Sequence, residues 1–574
     1  MNVFSNKPWL SSYAAGVPNA IEDPTETLVD MIEGSARRFA DKVALDFFGG
    51  TMTYAQLGDE ISRVANGLRR LGVKPGDRVA LVLPNCPQHI VAFYAVLRLG
   101  AIVVEHNPLY TERELRHQFE DHGASVAIVW DKVYSRVRGF PRDMGLHTVV
   151  AVDITRSMPL ATRLALRLPI PKSRTARAAL TVAQPLKDAI EWSALVGSRR
   201  LRTAHPRPLL GDTAVLQYTS GTTGSPKGAV LSHFNLQANA KQSEAWVPGL
   251  ERGNEVFYGV LPMFHAYGLT LCLTVAMSIG ARLVLFPKFD VGLVLNAVKR
   301  TPPTFLPAVP PIYDKLVKAA AAANISLRGT KYAISGAMSL PLATVELWES
   351  ATGGLLVEGY GMTECSPIAV GNPIGPSRRP GTVGVPFPST EIRVVDPKDP
   401  TVDRGFDEEG ELLVRGPQVF SGYWDRPTET AQTLLPDGWL RTGDIVTVSP
   451  DGFVTIVDRI KELIITGGFN VSPSEVEAAL LSHPDIADAA VVGLKASTGG
   501  EDVVAVVVLI AGATLDVAGL REYCRTRISA YKVPRRIIEV DDLPRSLIGK
   551  VMRRQVRDNL VAADAAASGS ASAS

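Results

Sequence analysis

Tyr218-Thr219-Ser220-Gly221-Thr222-Thr223-Gly224-Ser225-Pro226-Lys227-Gly228 is the stretch on which the reading of this chain turns. The apolar run Ala214–Leu216 precedes it and Ala229–Leu231 follows, so the pattern predicts a loop between two strands. Its three glycines let backbone amides turn toward an anion with no Cβ in the way. Thr219, Ser220, Thr222, Thr223 and Ser225 add hydroxyl donors, and Lys227 adds a compact positive charge. That combination suits a nucleotide polyphosphate better than the alternative of a plain polar hairpin. The spacing is not that of a P-loop, because Gly228 and not Ser or Thr follows the lysine, and no G-x-G-x-x-G is present in the stretch.

Outward from the loop, strand and helix signals alternate. Residues 41–48 and 78–83 read as strands and 125–130 as a third. Helical spacing of Tyr54, Leu57, Ile61, Val64 and Leu68 predicts a helix over 53–71, and a second spans 89–99 and closes at Gly100. Alternation of this kind predicts an α/β fold with an open, mostly parallel sheet. The pattern resumes at Asp212 and runs to about Asp444. After Asp458 the style changes to short helices (472–481) between strands (487–492, 502–510), the signature of a smaller α+β domain. The expected organisation is a large lobe over 1–457, a C-terminal domain over 458–561 and a disordered Ala/Ser/Gly tail over 562–574.

Three further segments carry polar chemistry. Gly359-Tyr360-Gly361-Met362-Thr363-Glu364 follows a strand-like run; Tyr360 offers a ring for an adenine and Glu364 a carboxylate for Mg2+ beside a polyphosphate. Alone, the segment reads as a polar turn. Asp444, after Thr442-Gly443, is an acceptor-only group fit for sugar hydroxyls, or simply a turn residue. Lys550, after Gly549, is a charged finger or a solvated lysine.

Taken together, these segments resemble the adenylate-forming enzymes: acyl-CoA synthetases, adenylation domains of peptide synthetases and firefly-type luciferases. The resemblance covers nearly the whole chain. Pro8-Trp9-Leu10, Asn107-Pro108-Leu109-Tyr110-Thr111, Gly416-Pro417-Gln418-Val419 and Gly422-Tyr423-Trp424 place it nearest the bacterial long-chain fatty-acid–CoA ligases. It implies a mobile C-terminal domain and ATP-dependent conversion of a fatty acid to acyl-CoA through an acyl-adenylate. It assigns catalysis to Lys550, Glu364 and Lys227, with Mg2+ at Glu364. Nucleotide contacts fall to Thr219, Ser220, Gly221, Thr222, Thr223, Gly224, Gly336, Ala337, Gly359, Tyr360, Gly361, Thr363, Asp444 and Arg459. The acyl site is implied at His265 and Gly268, the hinge at Lys461, and coenzyme A contacts at Gly467, Gly468 and Phe469. The alternatives are a fatty acyl-AMP ligase, an aromatic-acid CoA ligase, and a catalytically silent scaffold on a membrane.

Composition bounds the partners. At 46% hydrophobic, 21% charged and a net charge of +2, the chain gives no support for nucleic-acid binding. Cys86, Cys272, Cys365 and Cys524 lack any paired spacing and read as reduced, packed thiols. No secretory signal is visible, and the apolar run 266–281 is too short to span a bilayer, so it reads as a buried helix in a cytoplasmic protein. Residues 154–208 hold eleven basic residues against Asp188 and Glu191, interleaved with leucines. That insertion is either a solvated surface or a basic amphipathic contact with the anionic inner face of a membrane. Homodimer formation is also compatible with the sequence.

Overall fold

The computed structural model describes residues 3–184, 186, 189–219, 226–460, 462–466, 469–496, 501–546 and 549–571, with side chains at 142, 469, 470 and 565–571 outside that description. The chain forms two compact units, Lys7–Glu391 with Val414–Leu440, and Met1–Asn6 with Ile392–Leu413 and Arg441–Ser574.

The first unit contains two sheets. In one, six parallel strands run in the order Leu355–Gly361, Tyr332–Ser335, Phe305–Ala308, Val256–Gly259, Arg282–Leu285, Val43–Phe47, with antiparallel strands added at both edges. The other has seven strands, and its core strands Arg78–Val82, Ile102–Glu105, Val126–Trp130 and Thr148–Val152 are parallel. These strands are β-branched runs buried on both faces, as parallel sheets require. The α/β expectation is met.

The helix Tyr54–Arg70 begins one residue later than its periodicity suggests, because Thr53 is the N-cap and forms a capping box with Gln56. Its predicted face is buried: Tyr54, Leu57, Val64 and Leu68 are fully enclosed. The helix Pro87–Arg98 starts earlier than expected because Pro87 supplies the first helical turn, and every one of its residues is buried. The run 266–281 is helical and buried as expected, but its middle, Leu269–Thr274, is a π-helical turn. Gly268 enters that turn so close to Pro262 that a Cβ would lie 2.1 Å from its carbonyl oxygen. All four cysteines are free and buried.

The second unit contains a four-stranded sheet, Glu391–Val395, Gly410–Arg415, Leu440–Val448 and Val454–Arg459. No helix separates most of its strands, and the sequence pattern does not set it apart from the αβ layers before it. A three-stranded sheet follows, Ile486–Lys495, Glu501–Leu509 and Arg536–Glu539. Helices Pro473–Leu481 and Val517–Arg525 cover one face around Val476, Leu480, Val491, Val507 and Leu520, and the helix Arg553–Ala571 follows. Among the described residues no helix is long and apolar enough to cross a membrane.

Candidate active site

The predicted loop lies at the end of a hairpin. Thr213–Thr219 and Lys227–Ser232 pair antiparallel, with Thr219 opposite Lys227, so both residues sit where the loop leaves the sheet. Ser220, Gly221, Thr222, Thr223 and Gly224 lie outside the described residues. The entry is held firmly: the Tyr218 hydroxyl donates to Asp121 at 2.6 Å, and Arg426 pairs with the same carboxylate.

A distant segment is stitched to the exit strand. Val230 N–H donates to the Gly422 carbonyl at 2.9 Å and Trp424 N–H to that of Gly228 at 2.8 Å. This brings Tyr423 beside Lys227. The Lys227 ammonium lies 5.1 Å from the centre of the Tyr423 ring, a cation–π contact. The Tyr423 hydroxyl donates to Glu364 Oε1 at 2.6 Å, and Phe420 N–H donates to the Glu364 carbonyl at 2.9 Å. Burial, with the adjacent Glu364 charge, pushes the Tyr423 phenol well above its ordinary range, so it stays a donor. Lys227 and Glu364 therefore converge through Tyr423. Sequence reasoning quoted Tyr423 only as part of a subgroup motif and gave it no role. Its partners are 59 and 196 positions away, so no local signal marks it.

Glu364 is only 6% exposed, on a short turn after the strand Leu355–Gly361. Among the described residues no group of three His, Cys, Asp or Glu side chains could hold a metal by itself. A single buried carboxylate near Lys227 fits Mg2+, which keeps waters and substrate oxygens as its other ligands.

Gly336, Ala337, Gly359, Tyr360, Gly361 and Thr363 line one cavity together with His265. Gly361 is required by space, since a Cβ there would lie 1.9 Å from the Pro367 carbonyl oxygen. His265 Nδ1 accepts from Tyr267 N–H at 3.4 Å, and burial holds its pKa below the ordinary range, so the ring is neutral with its proton on Nε2. Gly268 is not among the residues lining this cavity; it sits against Pro262. Part of the lining is apolar: Trp246 stacks on Phe387 at 4.5 Å, and Leu271 and Ile368 also line the cavity. Sequence reasoning pointed to the run Leu269–Ile279 as a wall for an alkyl chain, and Leu271 from it lines the cavity; it missed Trp246, Ile368, Gly371 and Phe387, which come from other elements.

Glu358 also lines the cavity. Burial pushes its carboxyl up to about 7, partly offset by the Leu340 N–H it accepts at 3.2 Å. A carboxyl whose folded pKa is raised binds its proton more tightly in the fold than in the unfolded chain. Stability is then greatest in acid and declines as pH rises from about 4.5 through about 7. Glu358→Gln, which keeps an acceptor without a charge, should raise stability above pH 8 by about 1–2 kcal/mol and change little at pH 5. Thermal melts at the two pH values check it; equal shifts at both would refute the assignment.

In the second unit, Asp444 and Arg459 face each other as strand neighbours, with Oδ1 to Nε at 2.8 Å. Lys550 is half-buried near both. Its pKa is lowered, first by burial and then by the Arg459 charge, with Glu462 and Asp444 opposing. A tight turn presents it: Ser546 N–H donates to the Lys550 carbonyl at 2.8 Å, and Gly549 takes φ +80°. Lys461, Gly467 and Gly468 lie outside the described residues, as does the Phe469 side chain.

Comparison with known proteins places the chain in a family. The family model for AMP-binding enzymes matches residues 32–424, and that for the AMP-binding enzyme C-terminal domain matches residues 475–550. The chain belongs to the AMP-binding enzyme family. A long-chain-fatty-acid–CoA ligase of Bacillus subtilis is 38% identical over 568 residues, 96% of this chain and 98% of its own length. Among solved structures, ATP-bound MatB from Rhodopseudomonas palustris is 29% identical with a TM-score of 0.78, covering 92% of this chain and 98% of its own. An anthranilate CoA ligase in complex with anthranoyl-AMP is 26% identical with a TM-score of 0.80, covering 96% and 99%.

Within this AMP-binding enzyme, Tyr423→Phe removes one hydrogen bond to a buried charge and keeps the ring under Lys227. It should lower kcat/KM for ATP roughly tenfold, the scale of a hydrogen bond to a charged group. Steady-state kinetics with ATP varied would show it; an unchanged value removes the positioning role.

Proposed function

We propose that this enzyme joins a long-chain fatty acid to coenzyme A at the expense of ATP, through an acyl-adenylate, with release of AMP and pyrophosphate. The observation that carries the reading is the convergence of Lys227 and Glu364 on Tyr423, together with a cavity lined by Gly336, Gly359 and Gly361 and by the apolar Trp246, Phe387 and Leu271. The similarity to ligases named for long-chain fatty acids supports the choice of acid.

A carboxylate is a poor electrophile toward a thiol, and adenylation gives it a leaving group. The chain's part is to position the reactants and neutralise charge. Lys227, the loop hydroxyls and the amides of Ser220–Gly224 bind the polyphosphate. The ring of Tyr360 and the backbone of Gly336, Ala337 and Gly359 hold the adenine, with Thr363 on a phosphate. Asp444 accepts from the ribose hydroxyls, and Arg459 orients it. Mg2+, held by Glu364, would supply charge neutralisation at the phosphate oxygens. Lys550 stabilises the charge that develops where the carboxylate attacks the α-phosphate. The C-terminal domain then turns about Lys461, Lys550 withdraws, and Gly467, Gly468 and Phe469 receive the pantetheine arm. The thiol attacks the acyl carbonyl, the C–S bond forms, and AMP leaves with the bonding electron pair.

The test is direct. Purified protein given ATP, coenzyme A and palmitate should release AMP and form palmitoyl-CoA in equal amounts. AMP formation without thioester points to an acyl-AMP ligase, and a preference for cinnamate or anthranilate over palmitate overturns the choice of acid. A long-chain acid partitions into bilayers, which favours a cytoplasmic enzyme held at the inner face of the membrane.

A further inference from the structure

Residues 160–180 are the one long stretch of described chain in which nothing is buried. It contains the helices Leu160–Ala165 and Pro171–Leu180. Four large apolar side chains point to solvent within eleven residues: Leu160 is 66% exposed, Leu164 56%, Leu168 51% and Ile170 47%. Of the seventeen exposed large hydrophobics among the described residues these four alone form a sequence cluster. Leu160 and Leu164 are one helical turn apart, and the turn continues through Arg167 N–H to the Leu164 carbonyl and Leu168 N–H to that of Ala165. The leucines therefore share a side.

The same stretch holds Arg163, Arg167, Lys172, Arg174 and Arg177 and no acidic residue. Among the described residues none of the five forms an ion pair. The segment is not loose at its feet. Met158 is buried at one end. At the other, Trp130 Nε1 donates to the Leu180 carbonyl at 2.9 Å, Lys132 to that of Ala178 at 2.7 Å, and the Thr181 hydroxyl to Asp131. A segment of two short helices, anchored at both ends, thus displays a ridge of exposed apolar side chains interspersed with cations that form no ion pair among the described residues.

We propose that this ridge seats the enzyme on an anionic lipid bilayer, with Leu160, Leu164, Leu168 and Ile170 in the headgroup–acyl boundary and the five cations on lipid phosphates. A cluster of exposed apolar side chains marks an interaction site. The five uncompensated cations repel a second copy of the same surface. A nucleic acid would satisfy the cations and leave the leucines in water. A bilayer with anionic headgroups satisfies both.

The experiment uses the full chain and vesicles of phosphatidylcholine, either pure or carrying roughly 30 mol % phosphatidylglycerol. Co-sedimentation should favour the anionic vesicles and weaken as salt is raised. Arg163→Glu combined with Arg167→Glu should weaken it roughly 30-fold or more. Leu164→Ser combined with Leu168→Ser should weaken it on the order of tenfold or more. The Leu164→Trp variant should show a blue-shifted emission quenched by brominated acyl chains. Circular dichroism and melting temperature identical to the parent show that each variant folds. Equal binding to neutral vesicles, or binding unaffected by either pair of substitutions, overturns the proposal. So does a lipid-free dimer that Leu164→Ser dissociates. Because binding is read without substrate, failure here leaves the ligase reading standing, and loss of ligase activity leaves this result standing.

Discussion

Lys550→Ala should lower the rate of acyl-adenylate formation by about 10²–10³-fold, while thioester formation from supplied acyl-AMP and coenzyme A falls far less. The asymmetry follows from charge. Adenylation gathers negative charge between the carboxylate and the α-phosphate. Attack of a thiol on an already formed mixed anhydride gives no comparable demand for a lysine. The surroundings of Lys550 are tuned accordingly: burial and Arg459 lower its pKa, and Asp444 and Glu462 hold it from falling further. Adenylation should therefore lose activity at a lower alkaline pH than a freely solvated lysine would allow. ATP–pyrophosphate exchange reads the first half-reaction, and single-turnover conversion of purified acyl-AMP reads the second. Equal losses in both would contradict the role.

Glu364→Gln is expected to cost at least ~10²-fold in kcat for adenylation. The substitution keeps an oxygen for the Tyr423 hydroxyl, so packing and hydrogen bonding survive and only the charge is lost. What disappears is the charge of the carboxylate that accepts from the Tyr423 hydroxyl, under the Lys227 contact. Excess Mg2+ should recover part of the activity if weakened metal affinity is the main loss. Tyr423→Phe combined with Glu364→Gln should cost much less than the product of the two single losses, because both act on one carboxylate. A multiplicative double variant would show that Tyr423 and Glu364 act independently.

Legibility in the sequence followed the range of the interactions. The strands on either side of the glycine-rich loop were readable because apolar runs bracket a contiguous polar stretch, and Thr219 and Lys227 do face each other at its mouth. The helix over 54–70 was readable because burial of one face forces a 3.6-residue period. Tyr423 was not, since its importance comes from two partners far off in the chain. The Trp246–Phe387 wall failed for the same reason: stacking of side chains 141 positions apart leaves no period or motif. The sheet of strands 391–395, 410–415, 440–448 and 454–459 escaped because antiparallel strands joined by turns resemble the loops of the αβ layers when only local pattern is read.

The two rungs that tie Val230 to Gly422 and Trp424 to Gly228 have an evolutionary corollary. Nearly two hundred residues intervene, yet the separation between the lysine and the glutamate's tyrosine clamp is set by main-chain geometry alone. Glu364 itself lies in the intervening stretch, so that stretch can lengthen or remodel only where it leaves the Glu364–Tyr423 hydrogen bond in place. A proline at 230 or 424, which deletes a rung donor, is the change such lineages cannot accept.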